Sequence, residues 1–222
     1  MSAPGQLALD LGHRPALGRD DFLVASSNEE AVAWIDRWPD WPGPALAVCG
    51  SEGAGKTHLA HVWCARAGAD LVGPDLDVDL EALAGRERPC LALDDAEGVS
   101  GEDALLHIFN FVTENRGHLL LTGREPPARW PVLLPDLASR LRAIAVTSLG
   151  PPDDDLFAAV LVKLFSERQL QVGEDVIFYL VTRLERSFAA ARACVVSLDR
   201  HALAASRRVT VPLAGEVLGL GA

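Results

Sequence analysis

Residues 50–57 read Gly50-Ser51-Glu52-Gly53-Ala54-Gly55-Lys56-Thr57, a glycine-rich loop closed by a lysine and a threonine. The spacing from Gly50 to Gly55-Lys56-Thr57 is that of a phosphate loop. Glycines let backbone N–H groups turn toward phosphate oxygens with no Cβ in the way. Lys56 is placed to reach the β and γ phosphates of a nucleotide, and Thr57 to offer its hydroxyl to Mg2+. A helix is expected to start here, with His58 in its first turn, and its positive end adds to the pull on an anion. The eight loop residues and His58 are therefore candidates for holding ADP or ATP.

A nucleotide site with chemistry needs acids and cations around that loop. Asp94 ends an apolar run and suits a carboxylate that holds Mg2+ through water; Asp95 beside it can orient the attacking water. Asp95 is one methylene shorter than a glutamate, so the expected intrinsic hydrolysis is weak. The competing role for both aspartates is to cap the next segment. Thr122, after three leucines, is placed to sense the γ-phosphate, with a turn-forming threonine before Gly123 as the alternative. Arg140 in "DLASRLR" is the candidate cation for a neighbour's nucleotide, because it would sit on the far side of the sheet from its own. Arg142 is the fallback, and a helix-surface ion pair the competing role. Arg186 in "TRLERSFAAARA" is the candidate for the chain's own nucleotide, with Arg183 or simple solvation as alternatives.

The elements that must position these residues alternate. "SSNEEAVAWIDRW" reads as a helix capped by Ser27 or Asn28, with Ala31, Trp34, Ile35 and Trp38 at helical spacing. "PALAVC" is a buried strand before the loop, and "THLAHVWCARAG" a helix ended by Gly68. "ADLV", "PCLALDD", "HLLLTG" and "IAVTSL" are further strands, separated by helical "DVDLEALAGR", "EDALLHIFNFVTENRG" and "LLPDLASRLRA". Such alternation marks an α/β fold, here a five-stranded parallel sheet covered by helices. After "GPPDDD" three helical segments follow without strands, at about 153–169, 174–186 and 187–205, with Asp153 and Ser187 as caps. The end is expected to add a short extended piece and a last turn. The implied organisation is a leader over 1–21, an α/β domain over 22–150 and a small helical domain over 151–222.

Composition narrows the function class. Lys and Arg total 20 against 31 Asp and Glu, a net charge of −11, which argues against the DNA backbone as the main partner. The four cysteines, Cys49, Cys64, Cys90 and Cys194, lack metal-ligand spacing and suit a reduced, cytosolic protein. Neither a signal peptide nor a membrane span is legible.

Taken together, "GSEGAGKTHLAH", "LALDDAE", "LLLTGREPPARW" and "DLASRLRA" resemble, in order, the Walker A, Walker B, sensor I and arginine-finger boxes of AAA+ ATPases of the DnaA branch. "LERSFAAARA" resembles that branch's sensor II helix, which sets sensor II on Arg186. "DFLVASSNEEAVAWI", with Phe22 and Leu23, resembles the segment that packs on the adenine. The resemblance covers residues 20–218. The chain stops soon after the helical segments, which leaves no room for the initiator's helix-turn-helix domain. The stretch from Thr57 to Asp94 looks too short for its extra helical insertion. What remains resembles the Hda branch, the regulatory inactivators of DnaA.

That resemblance implies an ADP-bound adaptor whose catalytic residue, Arg140, works in trans. It also implies an N-terminal peptide for the sliding clamp, the β subunit of DNA polymerase III. "QLALDL" answers it: Gln6 can hydrogen-bond at a pocket rim, with Leu7, Leu9 and Leu11 as apolar anchors around Asp10. The implied partners are the clamp and DnaA, with DNA reached indirectly through the clamp, and a homodimer is also compatible. Two rivals are a stand-alone AAA+ ATPase, such as a helicase loader, and a direct DNA binder, which the acidity disfavours.

Overall fold

The structure, a computed structural model, describes residues 22–205 and 207–219. Its first half alternates as the sequence reads: α1 (Glu29–Arg37), β1 (Ala45–Gly50), α2 (Lys56–Ala67), β2 (Asp70–Val72), α3 (Leu80–Ala84), β3 (Cys90–Leu93), α4 (Glu102–Glu114), β4 (His118–Gly123), α5 (Pro135–Ala143) and β5 (Ala145–Leu149). The strands form one sheet in the order β2-β3-β4-β1-β5, every neighbouring pair parallel. β1 therefore lies between β4 and β5, and the loop that leaves its carboxyl end opens at the switch point of the sheet, where α/β folds bind ligands.

The pleat sorts β1 between two cores. Leu46 and Val48 face one layer with α1 and α2, while Ala45, Ala47 and Cys49 face the other with α4 and α5. Both faces of the strand are covered, which is why it reads as an unbroken apolar run rather than an alternating one. Small residues on the α4–α5 side let those helices lie close to the strand that carries the loop. Burial pushes the Cys49 and Cys194 thiols up to about 11 and Cys64 up to about 12, so they act as small apolar side chains.

After β5 the chain turns helical: α6 (Asp154–Glu167), α7 (Glu174–Val181), α8 (Phe188–Ala205) and α9 (Val211–Val217). Phe157, Leu161, Phe165, Leu180, Val195, Leu198 and Leu213 build a separate core for this unit. Asp153 caps α6, its carboxylate accepting from the Leu156 N–H at 2.8 Å, and the Ser187 hydroxyl accepts from the Ala190 N–H at 3.1 Å.

Three expectations need correction. The segment expected as helical over 174–186 ends at Val181, where the chain turns and the Thr182 hydroxyl bonds back to the Phe178 and Tyr179 carbonyls. Arg183 and Arg186 thus sit in a connection rather than in a helix. The end, expected as a short extended piece and a last turn, has extended backbone at Thr210 but then forms a two-turn helix, α9, with Pro212 in its first turn. Asn28 stands at the N-cap position of α1 without capping it; its amide instead takes the Ala25 N–H and donates to the Leu23 carbonyl.

Candidate functional site

The loop between β1 and α2 is held by both halves of the chain. Gly53 (φ +72°) and Gly55 (φ +98°) adopt backbone that favours glycine, and a Cβ on Gly53 would lie 2.8 Å from the Ser187 Cβ. The helical unit touches the loop directly there, with the Phe188 N–H donating to the Gly53 carbonyl at 2.9 Å. Lys56 lies along the loop, its Nζ donating to the Gly50 and Ser51 carbonyls at 2.8 and 2.9 Å.

Below the loop, one carboxylate collects two threonines. Asp94 accepts from the Thr57 hydroxyl at 2.8 Å on one oxygen and from the Thr122 hydroxyl at 2.6 Å on the other. Thr122 is buried and also accepts the Asp95 N–H at 2.9 Å. Strand pairing causes this meeting: β3, β4 and β1 are consecutive in the sheet, so their carboxyl ends converge. Asp95 itself is exposed, in left-handed backbone (φ +55°), at the start of a short 3-10 turn.

A cavity of about 570 Å3 opens beside the loop. Phe22, Leu23, Asn28, Gly53, Gly55, Lys56, Thr57 and His58 line one side, and the Phe22 ring meets His58 edge-on at 5.1 Å. The helical unit forms the other side with one face of α6 (Leu156, Val160, Lys163, Leu164, Glu167) and one of α8 (Ala189, Arg192, Ala193, Val196). An apolar slot for a flat ring, a glycine cradle with a lysine at its floor, and a hydroxyl–carboxylate pair suited to a hard cation together fit a nucleotide polyphosphate with Mg2+.

Residues 153–218 match the model of the family described as Hda, lid domain. The match spans α6 to α9, so the helical unit of this chain is similar to the lid of that family. Among solved structures, domain III of the Thermotoga maritima replication initiation protein DnaA superposes with a TM-score of 0.79 at 18% identity, covering 93% of this chain and 97% of that one. AMPPCP-bound DnaA from Aquifex aeolicus gives 0.65 at 19% identity, with 83% of this chain matched to 65% of that one. The Thermotoga maritima RuvB branch migration motor gives 0.69 at 14% identity over 91% of this chain and 71% of that one. At these identities the likeness is one of fold.

Within this fold the expected site residues fall into groups. Thr57, Asp94, Asp95 and Thr122 are brought together. Phe22, Leu23, Gly53, Gly55, Lys56, Thr57 and His58 line the cavity; Gly50, Ser51, Glu52 and Ala54 belong to the loop but stand outside its lining. Arg186 does not line it either. Its guanidinium pairs with Asp154 at 2.6 Å and lies over the Phe157 ring. Arg183 stacks on Tyr179 at 3.9 Å. The lid cations that do line the cavity are Lys163 and Arg192. Arg140, on α5, sits over the Phe109 ring with a long contact of 3.5 Å to Asp136, away from this cavity. Gln6, Leu7, Leu9, Asp10 and Leu11 lie outside the described residues.

Sequence reasoning missed Asn28 and the lid wall. A signal existed for the wall: 160, 163, 164 and 167, like 189, 192, 193 and 196, follow helical spacing. Those faces mix apolar residues with Lys163, Glu167 and Arg192, and the fully buried stripes of the same helices face the core of the helical unit instead.

Proposed function

We propose that this chain is an adaptor that restrains replication initiation. Its leader, through Gln6, Leu7, Leu9, Asp10 and Leu11, docks on the DNA-loaded sliding clamp; its phosphate loop holds ADP with Mg2+; and Arg140 completes the ATP site of a DnaA molecule, which then hydrolyses its ATP. In this scheme Thr57 and Asp94 hold the cation, Lys56 and the loop amides hold the phosphates, and Phe22, Leu23 and His58 flank the base. Bound Mg2+ supplies charge neutralisation at the phosphates. The chain's own turnover is expected to be low, because Asp95 is short and lies outside the cavity lining. It works in the cytoplasm and meets DNA through the clamp.

The observation that carries this proposal is a division of labour between cations. The loop has its own cavity, yet Arg140 serves none of it and lies a third exposed on a helix of the opposite layer. A cation so placed can act on a pocket that belongs to another molecule, where an added arginine is worth about 10^3 to 10^5 in rate. The test is ATP hydrolysis by DnaA with the purified chain added. Acceleration is expected with clamp-loaded DNA and not with free clamp or free DNA. Replacing Gln6 and Leu7 by alanine should remove it together with clamp pull-down. Full acceleration without clamp, or by the Gln6→Ala/Leu7→Ala variant, would overturn the docking step.

A further inference from the structure

Glu52 and Arg124 form a feature of the loop that the assignments above leave unused. Arg124 leaves β4 one residue past Gly123, and β4 is paired in register with β1, Cys49 opposite Gly123. Arg124 therefore emerges level with Gly50, at the mouth of the phosphate loop. Its Nη2 meets the Glu52 carboxylate at 3.2 Å, and its Nε lies 3.7 Å from Glu97. Glu97 is anchored independently, accepting the backbone N–H groups of Arg124 and Glu125 at 2.9 and 3.2 Å. The result is a bar of charge from the phosphate loop to the tip of β4. It stands on the side of Thr122, whose hydroxyl reaches the Asp94 carboxylate that Thr57 also holds. In the nucleotide reading proposed above, that is the side toward which a third phosphate would extend past Lys56.

We propose that the Glu52–Arg124 pair sets the preference of this site for a nucleoside diphosphate over a triphosphate. This deepens the nucleotide part of the function proposed above and rests on it. A third phosphate adds negative charge next to Glu52 and competes with Glu52 and Glu97 for the single guanidinium of Arg124. A diphosphate leaves the bar intact. Glu52 therefore opposes the third phosphate and Arg124 favours it, so the two residues have opposite signs although they touch each other. A pair that merely stiffened the loop would give both substitutions the same sign. Both side chains are well exposed, so each effect is modest, about threefold, and shrinks as salt rises.

The experiment measures ADP and ATP dissociation constants, with Mg2+, on the full chain and on the Glu52→Gln and Arg124→Ala variants at low ionic strength. The expected result is an ATP-to-ADP affinity ratio that rises about threefold in Glu52→Gln and falls about threefold in Arg124→Ala. Circular dichroism checks the fold, and the Glu97 bonds to backbone N–H groups survive both changes. An unchanged ratio in either variant, or shifts of the same sign, overturns the proposal. Failure of the parent chain to bind either nucleotide overturns instead the reading of the phosphate loop.

Discussion

Replacing Thr122 by valine keeps the shape of a buried side chain and deletes its hydroxyl alone. That hydroxyl is 2.6 Å from Asp94 and accepts the Asp95 N–H at 2.9 Å. A hydrogen bond to a charged group contributes about 1.5–3 kcal/mol, and leaving a backbone N–H unmade costs about 1–3 kcal/mol where it is buried. Asp94 keeps its bond from Thr57, and the Asp95 amide is partly accessible, so the two losses do not add in full. The expected destabilisation is about 2–3 kcal/mol. Thr122→Ser is the control: it keeps both bonds and removes one methyl group, at a cost of about 0.5–1.5 kcal/mol. Urea unfolding followed by circular dichroism separates them, since with a slope of about 2–3 kcal/mol/M the valine variant should lose about 1 M in midpoint. A valine variant as stable as the serine variant would refute the claim that this hydroxyl organises the carboxylate end of the sheet.

Gly53→Ala should weaken nucleotide binding at least about tenfold in a titration, because left-handed backbone costs an alanine about 1 kcal/mol and its Cβ would meet Ser187 at 2.8 Å; unchanged affinity would mean that lid and loop do not need this contact. His118 packs edge-on against Trp38 and Trp41, and burial, then the nearby Arg88 charge, lower its pKa. The folded state therefore holds this imidazole neutral, and stability is expected to fall as pH drops below the unfolded value of about 6.5. A His118→Gln variant should lose that part of the pH dependence in denaturant titrations; an identical slope would remove His118 as its source. Cys49, Cys64, Cys90 and Cys194 are all buried, and thiol reagents at pH 8 should label none of them before unfolding; rapid labelling of any would contradict the packing.

How much of this was legible beforehand follows from where each signal resides. The succession of strands and helices in the α/β half rests on short apolar runs bounded by glycines and prolines, and such runs survive without tertiary context. The loop was readable because glycine, lysine and threonine at fixed spacing have few other uses. The end of α7 was not, since Thr182 keeps helical backbone and nothing in its residue type marks the turn that follows. Asn28 reads as a cap by type, yet a turn at 23–28 claims its amide first. The lid face of the cavity was hidden because α6 and α8 each carry two faces, and the sequence advertises the apolar one. The Glu52–Arg124 pair joins residues far apart in the chain, and only the β1–β4 pairing makes them neighbours.

The proposed function depends most on Arg140 acting outside its own molecule. The direct measurement is single-turnover hydrolysis of ATP already held by DnaA, with clamp-loaded DNA in excess, after adding either the parent chain or its Arg140→Ala variant. The variant is expected to be retained on the clamp as well as the parent and to leave hydrolysis at the unassisted rate, a loss of about 10^3-fold or more where the parent is fully effective. Equal acceleration by the two proteins would contradict it.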